Sequence, residues 1–452
     1  MPAIITNAFR TYNADNFIKS LEDDTADLGD GLGNKMYLMI GKAAPWSGAS
    51  AVQYSASSPS DTSIPTPIDT TVAPFIHHND MIAAKLINAS DVSHVVKRND
   101  WTSGTVYTEY SHLQDDQIDQ TFFVMTDQFN VYKCISNFGG AASTVKPTGQ
   151  TAEITETSDN YRWKFMYEVQ QADVLKYVTT DWIPIKFLTS NDGTAQWTVQ
   201  QAAVDGALEH IDVTAGGTGY VNTNDGTAQA GANTTITLAA TASTTDDIYN
   251  GMTVYITGGT GSGQLRTISD YVGSSKVATI SSAWTTNPDS TSVYEVMPGV
   301  TITTTEGSGA IARCSSVVGG VIKKVSLTNV GTGYRSGTAT LVGGGGSGAT
   351  LEQRIGPKGG HGKNAKTELG GAYVMLNVRL TGTEGGDFAV GDDFRKVVLI
   401  TNPLVSGSPA TAATYSGTEM DDDSGEQIYV EYRAPINRAS DQTEDVKLVV
   451  EF

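Results

Sequence analysis

Apolar residues recur at every second position through Val446, Leu448, Val450 and Phe452, with Lys447 and Glu451 among the residues between them. A pleated strand sends alternate side chains to opposite faces, so this stretch is predicted to be a strand with one buried face, not a loose tail. The same period runs through Val374, Leu376, Val378 and Leu380 and predicts a half-buried strand. Val397-Val398-Leu399-Ile400 is a strand-like run stopped by Thr401-Asn402-Pro403-Leu404, and Lys35 to Ile40 reads as another strand. Phe122 to Met125 and Asn130 to Ile135 flank Asp127-Gln128-Phe129, which predicts a hairpin. Helical spacing is rarer. Asn13 is placed to cap a helix carrying Phe17, Ile18 and Leu21 on one side, and Asn79 to cap a second helix reaching Ile87. Residues 47 to 71, rich in Ser, Thr and Pro, are predicted as a long loop.

After Trp197 aromatic residues thin out and Gly, Thr, Ala and Ser dominate to about residue 355. This stretch repeats itself. Asp205-Gly206-Ala207-Leu208 through Gly219-Tyr220 parallels Gly319-Gly320-Val321-Ile322 through Gly333-Tyr334, and Glu306-Gly307-Ser308-Gly309-Ala310 parallels Gly345-Gly346-Ser347-Gly348-Ala349. The first copy is split by a piece of its own, in which two alternating runs flank Gly258-Gly259-Thr260-Gly261-Ser262-Gly263, a hairpin by its chemistry. The expected organisation is a main domain of residues 1–196 and 356–452, interrupted by an inserted β region at 197–355. Within the insert, one repeat is 205–226 plus 299–318, the other is 319–355, and a nested β module fills 227–298. Loop closure entropy grows slowly with length, so exposed turns tolerate such insertions. The fold class is mainly β with a few short helices: a discontinuous, β-sandwich-like main domain plus a glycine-rich all-β insertion.

A chain of 452 residues can build two or three cores. Its net charge of −20 argues against a nucleic-acid surface, which needs cations to displace phosphate counterions. Two cysteines far apart, Cys134 and Cys314, form neither a disulfide framework nor a zinc spacing and are expected to be buried thiols. No run approaches the roughly twenty apolar residues of a membrane-spanning helix, and no secretory leader is expected.

Candidate chemistry is sparse. Gly356 to Asn364 superficially suggests a phosphate loop, but Pro357 stands where the first glycine is required and Asn364 where Ser or Thr would bind magnesium. His77, His78, His94 and His112 lack metal-ligand spacing, and Asp115-Asp116 and Asp421-Asp422-Asp423 lack the pattern of a calcium loop. No nucleophile elbow or cysteine–histidine pairing is indicated. The reading is therefore a non-enzyme with no catalytic residue, no cofactor and no metal. Trp46, Trp101, Trp163 and Trp182 could be imagined as a sugar platform, although core or subunit-contact roles suit aromatics in these blocks better.

Five blocks, taken in order, carry a resemblance. They are Asn13 to Leu21; Asn34 to Ser47, with its Pro45-Trp46-Ser47; Lys97-Arg98-Asn99-Asp100-Trp101; Tyr161 to Val169; and the last fifty-odd residues, with Ser424 to Ile436 and Asp441-Gln442-Thr443-Glu444. Together they resemble the baseplate wedge subunit of T-even-like contractile-tailed phages, the gene product eight family, over about residues 1–196 and 356–452. The resemblance implies a structural protein of the virion's tail baseplate, made and assembled in the host cytoplasm. It also implies a homodimer that links neighbouring wedge subunits. Trp46, Trp101 and Trp163 are expected as packing residues, and Tyr432, Arg433 and Pro435 as part of a subunit contact. The alternative is a virion-surface adhesin whose residues 197–355 contact a host glycan.

Overall fold

The computed structural model describes residues 6–22, 34–41, 81–114, 120–221, 223–380, 393–416, 419–421 and 424–452. Strand exceeds helix, 46% to 10%, and the sheets are antiparallel and open, so the mainly β expectation holds. Contacts divide the chain into two compact units, one of Met1–Arg98, Gln170–Lys186 and Gly370–Phe452, the other of Asn99–Val169 and Phe187–Leu369. These limits differ from those expected on composition, because the aromatic segment Asn99–Val169 groups with the glycine-rich middle.

The first unit is two sheets sharing one core. The five-stranded sheet runs in the order Thr414–Ser416, Met81–Leu86, Met36–Gly41, Asp393–Thr401, Glu426–Asn437; the four-stranded one is Asp445–Glu451, Tyr373–Arg379, Val92–Lys97, Trp182–Ile185. Leu38, Ile40, Val397 and Leu399 from the former meet Val374, Leu376, Val378 and Leu448 from the latter, a sandwich core. The helix Asn7–Glu22 lays Phe17, Ile18 and Leu21 on it. That helix begins before Asn13, which therefore lies in its interior and is not its cap.

Met81–Leu86 is a strand, not the helix expected to end at Ile87. The run Met81-Ile82-Ala83-Ala84 carries neither a clear helical nor a clear strand period, and pairing decides: Met36–Gly41 lies on one side and Thr414–Ser416 on the other. Its sheet is covered on both faces, the second by Tyr37, Met39, Val398 and Ile400 packing with Ala410 and Met420. Tyr373–Arg379 is likewise buried on both faces up to Val378, not half-exposed, and its Asn377 Nδ2 donates to the carbonyl of Lys176 at 2.7 Å.

In the second unit, Phe123–Met125 and Asn130–Ser136 form the expected hairpin and extend through Arg162–Glu168 to Ile154–Glu156. The two repeats exchange strands. Leu208–Thr218, which opens the first copy, pairs with Ser347–Ile355, which closes the second; Val321–Thr332, which opens the second, pairs with Ser308–Val318, which closes the first. Their registers correspond, Ser347 facing Thr218 as Ser308 faces Thr332. Gly217 and Gly331 hold equivalent places at φ 59° and 62°, where a Cβ would approach the carbonyl oxygens of Ser347 and Ser308 to 2.4 and 2.6 Å. Only glycine fits both demands. Residues between Ala228 and Val296 enclose a core of their own around Tyr249, Tyr271, Trp284 and Tyr294.

Candidate functional site

A cleft of about 460 Å3 opens in the second unit where the Asn130–Ser136 sheet meets the exchanged repeats. Strand pairing assembles its polar wall. Ser136 faces Arg162 across one ladder; His210 faces Arg354, and Asp212 faces Glu352, across another. The Arg354 guanidinium donates from Nε to Asp212 at 2.7 Å, from one terminal nitrogen to Glu352 at 3.1 Å and from the other to Glu109 at 2.5 Å. Arg162 donates to His210 Nδ1 at 2.6 Å, which makes Nδ1 the acceptor, so Nε2 carries the ring proton and donates to Asp212 at 2.5 Å.

The two buried carboxyls are driven apart. Burial raises Asp212, but hydrogen bonds from His210 and Arg354 outweigh it and hold the group below the usual carboxylate range. Burial, then repulsion from Asp212, raises Glu109, which Arg354 offsets only in part. Such a pair elsewhere would suggest acid and base roles. Here Arg354 is bonded to both carboxylates, so their lone pairs are committed to holding the strands together.

The glycine-rich turn after Ile355 binds an anion, and the anion is its own. The amides of Gly362 and Asn364 donate to the two carboxylate oxygens of Glu368 at 3.0 Å each, and Lys133 pairs with that carboxylate. Lys133 and Glu368 are 0% and 2% exposed. The amides that would cradle a phosphate are thus already occupied. His361 in the same turn is fully buried with no hydrogen bond at either nitrogen; burial, with Lys133 and Lys164 nearby, holds its pKa well below the usual value.

Among the described residues no three His, Cys, Asp or Glu side chains are arranged to hold a metal. His77, His78, Asp115-Asp116 and Asp422-Asp423 lie outside the described residues. His94 bridges Asp15 and the Gly371 carbonyl at 2.8 Å each, and Asp421 accepts from the Ser406 and Gly407 amides. Cys134 and Cys314 are free and buried, the latter pushed up to about 11 by burial.

Of the expected packing residues, Trp46 lies outside the described residues. Trp163 is fully buried, stacked on Tyr161 at 5.4 Å with Tyr107 edge-on, and Trp101 donates to Ser143 at 3.1 Å beside the same cluster. Trp182 packs on Tyr373 in the first unit. Tyr432 and Pro435 are exposed on Glu426–Asn437, the outermost strand of its sheet among the described residues; Arg433 lies on that strand, its side chain outside the description. Along this edge Ile428, Tyr432 and Ile436 are 43%, 64% and 39% exposed.

Sequence reasoning did not single out Glu109, Arg162, His210, Asp212 or Arg354. One signal was present: where the first repeat has His210 and Asp212, the second has Lys324 and Ser326, so the copies diverge at the cleft while keeping their apolar register.

No helix among the described residues is long and apolar enough to cross a membrane. No curated protein sequence matches the chain. Residues 370–452 match the family described as Bacteriophage T4, Gp8, so the C-terminal part of the chain carries that family's signature.

Proposed function

From the premise that residues 370–452 are a segment of the Gp8 family, a structural component of the phage tail baseplate, we propose that this chain is a wedge subunit acting as a homodimer that links neighbouring wedge proteins. One observation carries the reading: the matched segment supplies strands to both sheets of the first unit, and they pair directly with Met36–Gly41 and Val92–Lys97. A segment whose hydrogen-bond partners and core lie in the N-terminal part is integral to that unit, not an appended module. The subunit works by presenting surface, not by turnover, and suits an assembly that must hold until it rearranges.

The Glu426–Asn437 edge is the proposed contact with a second copy. It is a twelve-residue strand with apolar side chains along it, and an open edge offers backbone groups for strand addition. Replacing Tyr432 and Arg433 with alanine is expected to convert a dimer to monomer in sedimentation velocity without changing the melting profile. A variant that remains as dimeric as the parent refutes the placement, and a monomeric parent refutes the dimer. The adhesin alternative is favoured by a different observation, the polar cleft walled partly by the repeats.

A further inference from the structure

The geometry points to a hinged arm: we propose that residues 205–355 swing on the rest of the second unit and are held shut by a latch in which Arg354 grips Glu109 across the cleft. The device belongs to that unit alone and is independent of the baseplate and adhesin readings.

The chain enters the arm and leaves it side by side, Leu208 pairing with Ile355 where the two passes meet. Backbone bonds gather at this neck: the Gly356 amide donates to the Ala207 carbonyl at 3.1 Å, and the Gly359 amide to Asp205 at 2.7 Å. Two adjacent passes form a connection about which a body can turn. The apolar cores respect the same boundary. The one around Trp163 draws on residues between Trp101 and Val199, and those around Cys314, Ile211 and Tyr334 on residues between Leu208 and Ile355.

Away from the neck, side-chain bonds cross the boundary, and their residues line the cleft. Arg354 donates to Glu109, Arg162 to the Glu209 carbonyl at 3.1 Å and to His210, and the Ser136 hydroxyl to Asp212 at 3.3 Å. Lys324 pairs with Glu156, but these side chains are 39% and 34% exposed, where an ion pair contributes little. Arg354 therefore carries the latch. It neutralises Asp212 and Glu352 on the arm while reaching Glu109 on the base, so three carboxylates converge on one cation. Shutting the arm desolvates Glu109 beside Asp212, and that burial and repulsion raise its pKa. Closure thus carries an electrostatic cost that a shared apolar core would not, and motion across such a polar boundary is the physical expectation.

Thiol trapping in the full chain tests this. Ser136 is 3% exposed against Asp212, so Ser136→Cys places a reporter at the boundary, while the buried Cys134 and Cys314 report unfolding of base and arm. With excess N-ethylmaleimide and peptide mass analysis, the introduced thiol is expected to react at least about tenfold faster than either native cysteine. Arg354→Gln leaves three carboxylates without their cation and is expected to raise that rate about tenfold further, with Cys134 and Cys314 as slow as before. Lys324→Glu, at a more exposed position, sets two carboxylates face to face and is expected to raise it about threefold. Reaction of the introduced thiol in step with Cys134 and Cys314 overturns the proposal, as does a rate that neither variant raises.

Discussion

Glu368→Gln isolates the most heavily buried charge pair described. The carboxylate accepts from two backbone amides and from Lys133 in a site almost without solvent. Removing its charge leaves the Lys133 ammonium unpaired, which costs about 3–5 kcal/mol in comparable buried pairs. The glutamine also turns an N–H toward a backbone N–H, adding about 1–3 kcal/mol. A combined loss of about 4–8 kcal/mol corresponds to a fall of about 8–32 °C in melting temperature for a unit of this size. Calorimetry of the full chain reads it. Alkaline pH supplies an internal control. Burial lowers the Lys133 pKa, so the folded protein releases this proton at lower pH than the unfolded chain does. Between those two values the unfolded state holds more protons, and stability rises with pH. Loss of Glu368 lowers the folded value further, so the variant is expected to recover stability more steeply than the parent as pH climbs towards about 10.5. Adding Lys133→Met to Glu368→Gln is expected to recover part of the loss. A single-variant loss below about 1 kcal/mol, the level of an exposed pair, refutes the reasoning.

Two further outcomes follow from the cores. Leu38→Ala and Leu376→Ala, on strands far apart in sequence but in one cluster, are each expected to cost about 2–5 kcal/mol and to lower the same calorimetric transition; separate transitions refute a shared core. His361 is held neutral when folded, so below about pH 6.5 the unfolded chain binds the extra proton and stability declines by up to about 1.4 kcal/mol per pH unit. His361→Phe is expected to flatten that slope, as urea titrations from neutral to acid pH would register, and an unchanged slope refutes the assignment.

The elements legible in the sequence were those whose period survives in the fold. Val446 and Leu448 point into the core as their alternation required, and the Asp127-Gln128-Phe129 turn joins the strands placed around it. Where both faces of a strand are buried the period vanishes, which is why Met81–Leu86 resembled a helix. Composition marked the glycine-rich middle but not its partner: Asn99–Val169 has the aromatic content of the N-terminal region, and only tertiary contact assigns it to the second unit. The repeats were visible, yet their exchange of strands was not, because equivalent sequences satisfy either pairing. The cleft was hidden for a simpler reason. Glu109 and Arg354 meet across hundreds of residues, and no local spacing records that.

The first unit is stitched from segments synthesised at very different times. Met36–Gly41 can pair with Met81–Leu86 early, but its other neighbour, Asp393–Thr401, leaves the ribosome only about 20–70 s later at roughly 5–20 residues per second. Every segment of the second unit precedes that moment, so the middle can close first while the early strand pairs still lack the late strands of their sheets. Until then Leu38 and Ile40 lack Val374, Leu376 and Val397 from their shared core, and a message cut short upstream of the late strands leaves the first unit without them.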